Sequence, residues 1–362
     1  MSKNMIIGQS GGPTAVINSS LAGAIEYAFS SNKIDTVYGM INGIQGLLEN
    51  NIIDVKERFY GKPYDINRLR LTPAMFLGSC RYKLGDDEKI FAEIIDVLKK
   101  YNIGYFLYIG GNDSMDTVDK LSKYTASHNI DIKIVGVPKT IDNDLVGIDH
   151  SPGFGSAAKY IALAVKNVAY DTSIYSIKSV HIIEAMGRNA GWLTAASALA
   201  RDGDSVAPHL IYLPEVAFDE AQFIEDVREA IKKYNNVVIA VSEGIKNAEG
   251  KYISATSAVE DTFGHSQLSG TGKCLEYIIK QNLQVKVRSV EINILQRCAA
   301  HMSSITDIGE AFRLGRHAVE TALEGKSGVM VTAIRKANEP YSVKMGDTDV
   351  KNVAGLVKHV PR

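Results

Sequence analysis

The stretch Val135-Gly-Val-Pro-Lys-Thr-Ile-Asp-Asn-Asp144 decides the reading of this chain. An apolar strand runs directly into a polar turn that carries one ammonium, a hydroxyl, an amide and two carboxylates. Open α/β sheets place their chemistry at the ends of such strands. A cation that can hold phosphate, beside a carboxylate that can orient a hydroxyl, suggests phosphoryl transfer to an alcohol, with Lys139 and Asp142 as the pair. An ordinary solvated turn with an Asn-Asp signal has the same residue types, so this stretch alone leaves both readings open.

Other apolar runs end in the same way. Ile7-Gly-Gln-Ser-Gly-Gly-Pro-Thr14 breaks from a strand into glycines and then opens a helix. Gly11 and Gly12 would let backbone N–H groups approach phosphate oxygens near a helix N-terminus. The Gly-Lys-Ser/Thr of a P-loop is missing, and so is the dinucleotide GxGxxG. Tyr108-Ile-Gly-Gly-Asn-Asp-Ser114 repeats the pattern, with Gly111 in the turn and Ser114 as the expected cap of the next helix. Phe76-Leu-Gly-Ser-Cys-Arg81 presents an Arg, either to an anion or to solvent. Later, Glu184-Ala-Met-Gly-Arg188, Ser242-Glu-Gly244 and the segment from Arg288 to Arg297 add three arginines and Glu243. That set suits an anionic ligand bearing hydroxyls, because Arg grips phosphate in a forked geometry and Glu accepts from hydroxyls.

Short apolar runs alternate with helical patterns along the whole chain. Strands are expected at Met5–Gly8, Thr36–Met40, Tyr105–Ile109, Lys133–Val137, Val180–Ala185, Leu210–Leu213, Val237–Val241, Ser289–Ile292 and Val329–Ile334. Helices are expected at Ala15–Ser30, Asp87–Tyr101, Met115–Asn129, Ser156–Ala169, Ala190–Ala200, Asp219–Tyr234, Lys273–Gln281 and Ile305–Leu323. In Asp87–Tyr101 the residues Ile90, Phe91, Ile94, Ile95, Val97 and Leu98 form one apolar face, and Asp219 is a suitable N-cap. Strand–helix–strand alternation implies largely parallel sheets covered on both faces, and this number of strands implies two sheets. No Pro/Gly/Ser linker separates the parts, so the lobes are expected to interleave.

Composition narrows the function classes. The chain has 362 residues, 45% hydrophobic and 22% charged, with a net charge of -1. No global field draws it to nucleic acid or membrane, so an anionic ligand must be held by local cations. No apolar run approaches the roughly 20 residues that span a bilayer. The N-terminal residues lack the shape of a signal peptide. The three cysteines, Cys80, Cys274 and Cys298, match no zinc spacing, and the eight histidines show no HExxH. A reducing, cytoplasmic compartment is expected.

Taken together these stretches resemble the phosphofructokinases of the bacterial type. SGGPTAVIN, FLGSCR, GGNDS, PKTIDND, MGRNAGW, SEG and LQR occur in that family's order and approximate spacing, over nearly the whole chain. The resemblance implies an α/β protein of two Rossmann-like three-layer lobes with the active site in the cleft between them. The expected donor lobe is 1–154 with about 296–345, and the expected sugar-phosphate lobe is 155–295 with about 346–362. It implies phosphoryl transfer to the 1-hydroxyl of fructose 6-phosphate with Asp142 as base. Thr140, Asp144, Met186, Gly187, Arg188, Glu243, Arg288 and Arg297 become sugar-phosphate contacts. Gly11, Gly12, Arg81, Gly111 and Ser114 become contacts to the phosphoryl donor.

Two positions bear on the donor. ATP-using members resemble GGDGS, with Gly where this chain has Asp113, and usually have Gly where it has Lys139. The carboxylate and the ammonium are similar to the pyrophosphate-dependent branch. Opposite an α-phosphate Asp113 would set negative charge against negative charge, whereas pyrophosphate has no α-phosphate. Lys139 would then serve the transferring group. Ile44 falls where nucleotide-using relatives often place an aromatic residue. The resemblance also implies Mg²⁺, with Asn112 and Asp144 near it, and a homodimer or homotetramer. Asn112 replaces an Asp of many relatives, Ile294 a His or Tyr, and Ser179 an Arg donated across a subunit interface. The alternatives are ATP dependence, or a non-catalytic regulatory subunit, against which Asp142 and Asp144 both stand intact.

Overall fold

The computed structural model describes residues 2–254 and 270–361. In chain order the elements begin β1 (Lys3–Gln9), α1 (Ile17–Ser30), β2 (Ile34–Met40), α2 (Gly43–Leu48), β3 (Ile52–Asp54), α3 (Lys56–Phe59) and α4 (Pro63–Leu71). Then come α5 (Glu88–Lys100), β4 (Ile103–Gly110), α6 (Asn112–Ser127), β5 (Lys133–Pro138), α7 (Phe154–Ser173), β6 (Ser179–Ala185) and α8 (Trp192–Ala196). The rest are β7 (Leu210–Tyr212), α9 (Glu220–Lys233), β8 (Asn236–Ser242), α10 (Thr271–Asn282), β9 (Lys286–Glu291), α11 (Ile305–Leu323), β10 (Val329–Asn338) and β11 (Tyr341–Asp349).

The chain divides into two compact units. The first comprises Met1–Ile141, Leu145–Ser156 and Ser303–Leu356. Its sheet has the order β11-β10-β5-β4-β1-β2-β3. The pairs β1–β2, β1–β4, β4–β5 and β5–β10 are parallel, and β2–β3 and β10–β11 are antiparallel. The central strands are apolar on both faces, as Met5, Ile6, Phe106, Leu107, Ile134 and Val135 are fully buried. This is the expected pattern for parallel strands covered on both sides.

The second unit comprises Asp142–Asp144, Ala157–Met302 and Val357–Arg362. Its sheet has the order β7-β8-β6-β9 and is parallel throughout. Its core is Val180, Ile182, Phe223, Val227, Val237, Ile239, Val241, Leu275 and Ile279. The division at 356 rather than 345 has a physical cause: β11 pairs with β10 along its length and stays with the first sheet.

Several expectations need correction. The helix expected from Met115 starts at Asn112, because Gly111 is its N-cap and Ser114 already lies in the first turn. Ser114 therefore does not cap it. The helix expected over Ala190–Ala200 is α8 followed by a tighter 3₁₀ turn at Ser197–Ala200. The strand expected at Ser289–Ile292 begins three residues earlier, at Lys286. The short elements β3, α2, α3, α4 and the edge strand β11 carried no clear periodicity in the sequence. β11 is mostly half-buried or exposed and bears charges on both faces. Asp219 does cap α9, accepting from the Gln222 N–H at 3.0 Å.

Candidate active site

Register places the chemistry of the first unit on one sheet edge. Gln9 pairs with Ile109 and Gly110 with Pro138, so β1, β4 and β5 end side by side. The residues that follow these three strands are Ser10–Thr14, Gly111–Ser114 and Lys139. Lys139 is 3% exposed. Its ammonium donates to the Gly12 carbonyl at 2.8 Å. Gly11 has φ +79, and a Cβ there would stand 3.1 Å from the Lys139 Nζ. A side chain at that position would be strained and would also crowd the ammonium. Ser114 and Ser10 share a hydroxyl–hydroxyl bond of 2.6 Å, which joins the first turn of α6 to the end of β1.

Arg81 lies on an exposed stretch that is fastened to the same edge. The Leu77 N–H donates to Gln9 Oε1 at 2.9 Å and the Phe76 N–H to Asn18 Oδ1 at 2.9 Å. The Ser79 hydroxyl donates to the Gly11 carbonyl at 2.7 Å. On the other side, Lys120 of α6 donates to the Leu84 carbonyl at 2.8 Å and pairs with Asp116 at 3.3 Å. The structure thus brings Gly11, Gly12, Lys139, Gly111, Ser114 and the Arg81 loop onto one edge, with Asn112 and Asp113 in the first turn of α6. The Thr140 N–H donates to the Pro152 carbonyl at 3.2 Å. Gln9, Asn18 and Lys120 were not singled out in the sequence, because nothing in their local pattern distinguishes them.

In the second unit β6 and β8 end together, Ala185 opposite Ser242. Met186, Gly187 and Arg188 follow one strand and Glu243 the other. The Gly187 N–H donates to Glu243 Oε1 at 3.3 Å, and the Ser242 hydroxyl donates to the Gly187 carbonyl. A Cβ on Gly244 would fall 2.1 Å from the Arg188 carbonyl oxygen, so glycine there lets the two loops lie in contact. The Met186 N–H donates at 3.3 Å to Gln296, the buried neighbour of Arg297.

The carboxyls of this edge repel one another. Burial pushes Glu243 up to about 8, with the charge of Asp142 as the next cause, while the Gly187 N–H pulls the other way. Burial likewise raises Glu184 to about 7, opposed by the Gly272 N–H at 2.7 Å and helped by Glu291. Asp142 and Asp144 flank Asn143, which has φ +54 and is 2% exposed. Asn tolerates this left-handed conformation better than most residues.

Arg288 stands apart from Arg188, Glu243 and Arg297 within the unit. It pairs with His181 partway along the edge strand β9. There it lines a cavity of about 500 Å³ with Asn167, Asp171, His181, Lys273 and Glu276. Burial, and then the charge of Arg288, lowers the pKa of His181.

Among the described residues no three His, Cys, Asp or Glu side chains gather into a metal cage. Mg²⁺ does not require one, because it is commonly bound through one or two carboxylates and substrate phosphates. The turn bearing Asp142 and Asp144 fits such an ion: Asp142 already raises the Glu243 carboxyl, and a cation at that turn would relieve the repulsion.

A strand-end edge of glycines, a buried ammonium and a helix N-terminus, together with a second edge of carboxyls and Arg188, defines an α/β protein built to handle phosphate and hydroxyl groups. The phosphofructokinase family model matches residues 4–322, and the chain belongs to that family. It is 41% identical to a pyrophosphate–fructose 6-phosphate 1-phosphotransferase of Halomonas elongata, over 99% of this chain and 86% of that protein. A protein of the same name from Xanthomonas campestris is also 41% identical, with the same coverage. The crystal structure of a pyrophosphate-dependent phosphofructokinase from Nitrosospira multiformis superposes with a TM-score of 0.89 and 38% identity, covering 100% of this chain and 86% of that one.

Proposed function

We propose that the protein transfers a phosphoryl group from pyrophosphate to the 1-hydroxyl of fructose 6-phosphate. The products are fructose 1,6-bisphosphate and phosphate, in a reversible glycolytic step. The observation that carries this reading is the buried Lys139 ammonium at the Gly11–Gly12 turn. Pyrophosphate has no nucleoside to anchor it, so its binding energy must come from groups that meet phosphate oxygens. Gly11, Gly12, Gly111, Ser114 and Arg81 supply such groups around Lys139, and Asp113 occupies space that an α-phosphate would need. The names of the relatives support the same donor.

Asp142 takes the proton of the sugar 1-hydroxyl as its oxygen forms a bond to phosphorus and the bridging P–O bond of pyrophosphate breaks. Arg188 and Arg297 hold the 6-phosphate, and Glu243, Met186, Gly187 and Thr140 orient the sugar. Asp144 and Asn112 would hold Mg²⁺, which when bound would supply neutralising charge for the phosphate oxygens. Initial rates on fructose 6-phosphate with pyrophosphate, with ATP and with excess chelator test the reading. Turnover with pyrophosphate and Mg²⁺ alone is expected. Comparable kcat/KM with ATP would promote ATP dependence.

The chain is read as a homodimer or homotetramer in which Arg288 serves a second copy. Its separation from Arg188 supports this, as does the edge position of β9. Around that edge Tyr175, Tyr277 and Val290 are 55%, 63% and 45% exposed, an apolar surface that a partner would cover. Cys80, Cys274 and Cys298 are not in disulfides, which suits the cytoplasm.

A further inference from the structure

Lys358 lies outside every helix and strand, yet three of its groups are engaged within the second unit. Its backbone N–H donates to the Asp144 carbonyl at 2.7 Å. Its ammonium donates to Asn143 Oδ1 at 3.2 Å. Its carbonyl accepts from the Trp192 indole N–H at 2.8 Å, and the ammonium stands 5.5 Å from the centre of that ring. Two residues on, the Val360 N–H donates to Glu215 Oε1 at 3.0 Å, and the same oxygen accepts from the Gly191 N–H at 2.9 Å.

These bonds join two stretches far apart in sequence. One is the turn Asp142–Asp144, whose left-handed Asn143 sets where its two neighbouring carboxylates point. The other is the loop from Met186 to Trp192 that carries Arg188. The chain leaves the second unit on both sides of the turn, at Ile141 and at Leu145. Three residues inserted in this way make no ladder of their own and need side-chain and backbone partners to hold one orientation.

The geometry points to Lys358 as a positioning residue for Asp142, clamping the turn to Trp192 so that the carboxylate meets the sugar hydroxyl in a fixed orientation. This inference rests on the proposed reaction and deepens it. A general base works only within about 2.6–3.2 Å of the proton it takes, and a misplacement of about 1 Å can cost roughly a hundredfold in rate. Loss of the ammonium removes one of the two bonds by which Lys358 holds the turn, so the expected cost is intermediate and falls on turnover.

The test compares wild type with Lys358→Met, Lys358→Arg and Trp192→Phe. Steady-state rates are measured on fructose 6-phosphate and pyrophosphate, together with tryptophan emission. The chain has one tryptophan, so emission reads Trp192 directly. Lys358→Met should lower kcat about tenfold, leave both KM values within about twofold, and shift the emission maximum. Lys358→Arg should recover most of the lost kcat, because it restores charge and donor. Trp192→Phe, which keeps a ring and removes the N–H, should lower kcat in the same direction and carries the test if Lys358→Met does not fold. A Lys358→Met or Trp192→Phe enzyme with wild-type kcat overturns the inference, as does a loss confined to KM. A wild type that is inactive with these substrates overturns the proposed reaction and this inference with it. An active wild type beside a normal Lys358→Met overturns the inference alone.

Discussion

The Lys139 ammonium donates to the Gly12 carbonyl at 2.8 Å from the end of a strand that is almost wholly buried. A buried ammonium needs a strong acceptor or an anion, because desolvation of the charge is expensive. An ammonium carries three donors and a full charge, both of which suit phosphate oxygens beside the glycine turn. Lys139→Met should therefore lower kcat with pyrophosphate by about 10²–10³-fold, the usual scale for losing one preorganised charge stabiliser. Asp113→Gly should admit some ATP, and the double change with Lys139→Gly should exchange part of the pyrophosphate activity for it. Rates with both donors on all three variants check this; unchanged pyrophosphate turnover in Lys139→Met would remove Lys139 from the chemistry.

The role proposed for Asp142 is that of a base and not of a tether for the sugar. Asp142→Ala should lower kcat by roughly 10²–10⁴-fold with little change in the KM for fructose 6-phosphate. Near-normal turnover would assign the proton transfer elsewhere.

His150 is bonded at both ring nitrogens to carboxylates, Asp149 at 2.8 Å and Glu310 at 2.6 Å. Two acceptors require two N–H groups, so the ring is held as imidazolium. Burial opposes the charge, but the bonds to Glu310 and Asp149 outweigh it and raise the pKa. The facing groups also include Arg335, which donates to Asp149 at 2.9 Å, Tyr341, which donates to Glu310 at 2.6 Å, and buried Asp307. A raised folded pKa gives stability that is complete below the unfolded value near 6.5 and is lost as pH rises through the folded one. The Tm advantage of wild type over His150→Gln should thus shrink from pH 6 toward alkaline pH. A gap that widens would contradict the assignment.

Glu243 gives a trend of the same sign from an acidic group, because its folded pKa is also raised. Its folded pKa of about 8 lies above the ordinary glutamate value of 4.5, so wild type loses stability across that window as pH rises. Glu243→Gln copies the protonated form and should become progressively more stable relative to wild type from about pH 5 to 8. It should also raise the KM for fructose 6-phosphate above about pH 8, where wild-type Glu243 is ionised and Gln cannot accept as a charged group. Thermal melts across the pH series and the KM in parallel measure both.

Arg288, in its own cavity, should matter to a second copy. Arg288→Ala and Asp142→Ala are each expected to be nearly inactive alone. Mixed oligomers should recover part of the activity, because one site then receives an intact Asp142 and an intact Arg288 from different chains. Sedimentation should show at least a dimer. A fully active monomer, or mixed oligomers with no recovery, would count against sharing.

Much of the candidate site was legible because strand ends announce themselves locally. A buried run followed by Gly-Gly or by Lys-Thr-Ile-Asp fixes where the chain leaves the sheet, whatever its partners. The sequence by itself determined the parallel α/β class, the strands β1, β4, β5, β6 and β8, and the polar residues that follow them. Tertiary structure alone decided which ends lie side by side, since register between β1, β4 and β5 is set by packing over distant segments. It decided that Ser114 meets Ser10 instead of capping its helix. It separated Arg288 from Arg188, because the pairing of Arg288 with His181 leaves it short of the strand end. It also brought Lys358 to Asn143, two residues more than two hundred positions apart whose hydrogen bond leaves no local pattern to read.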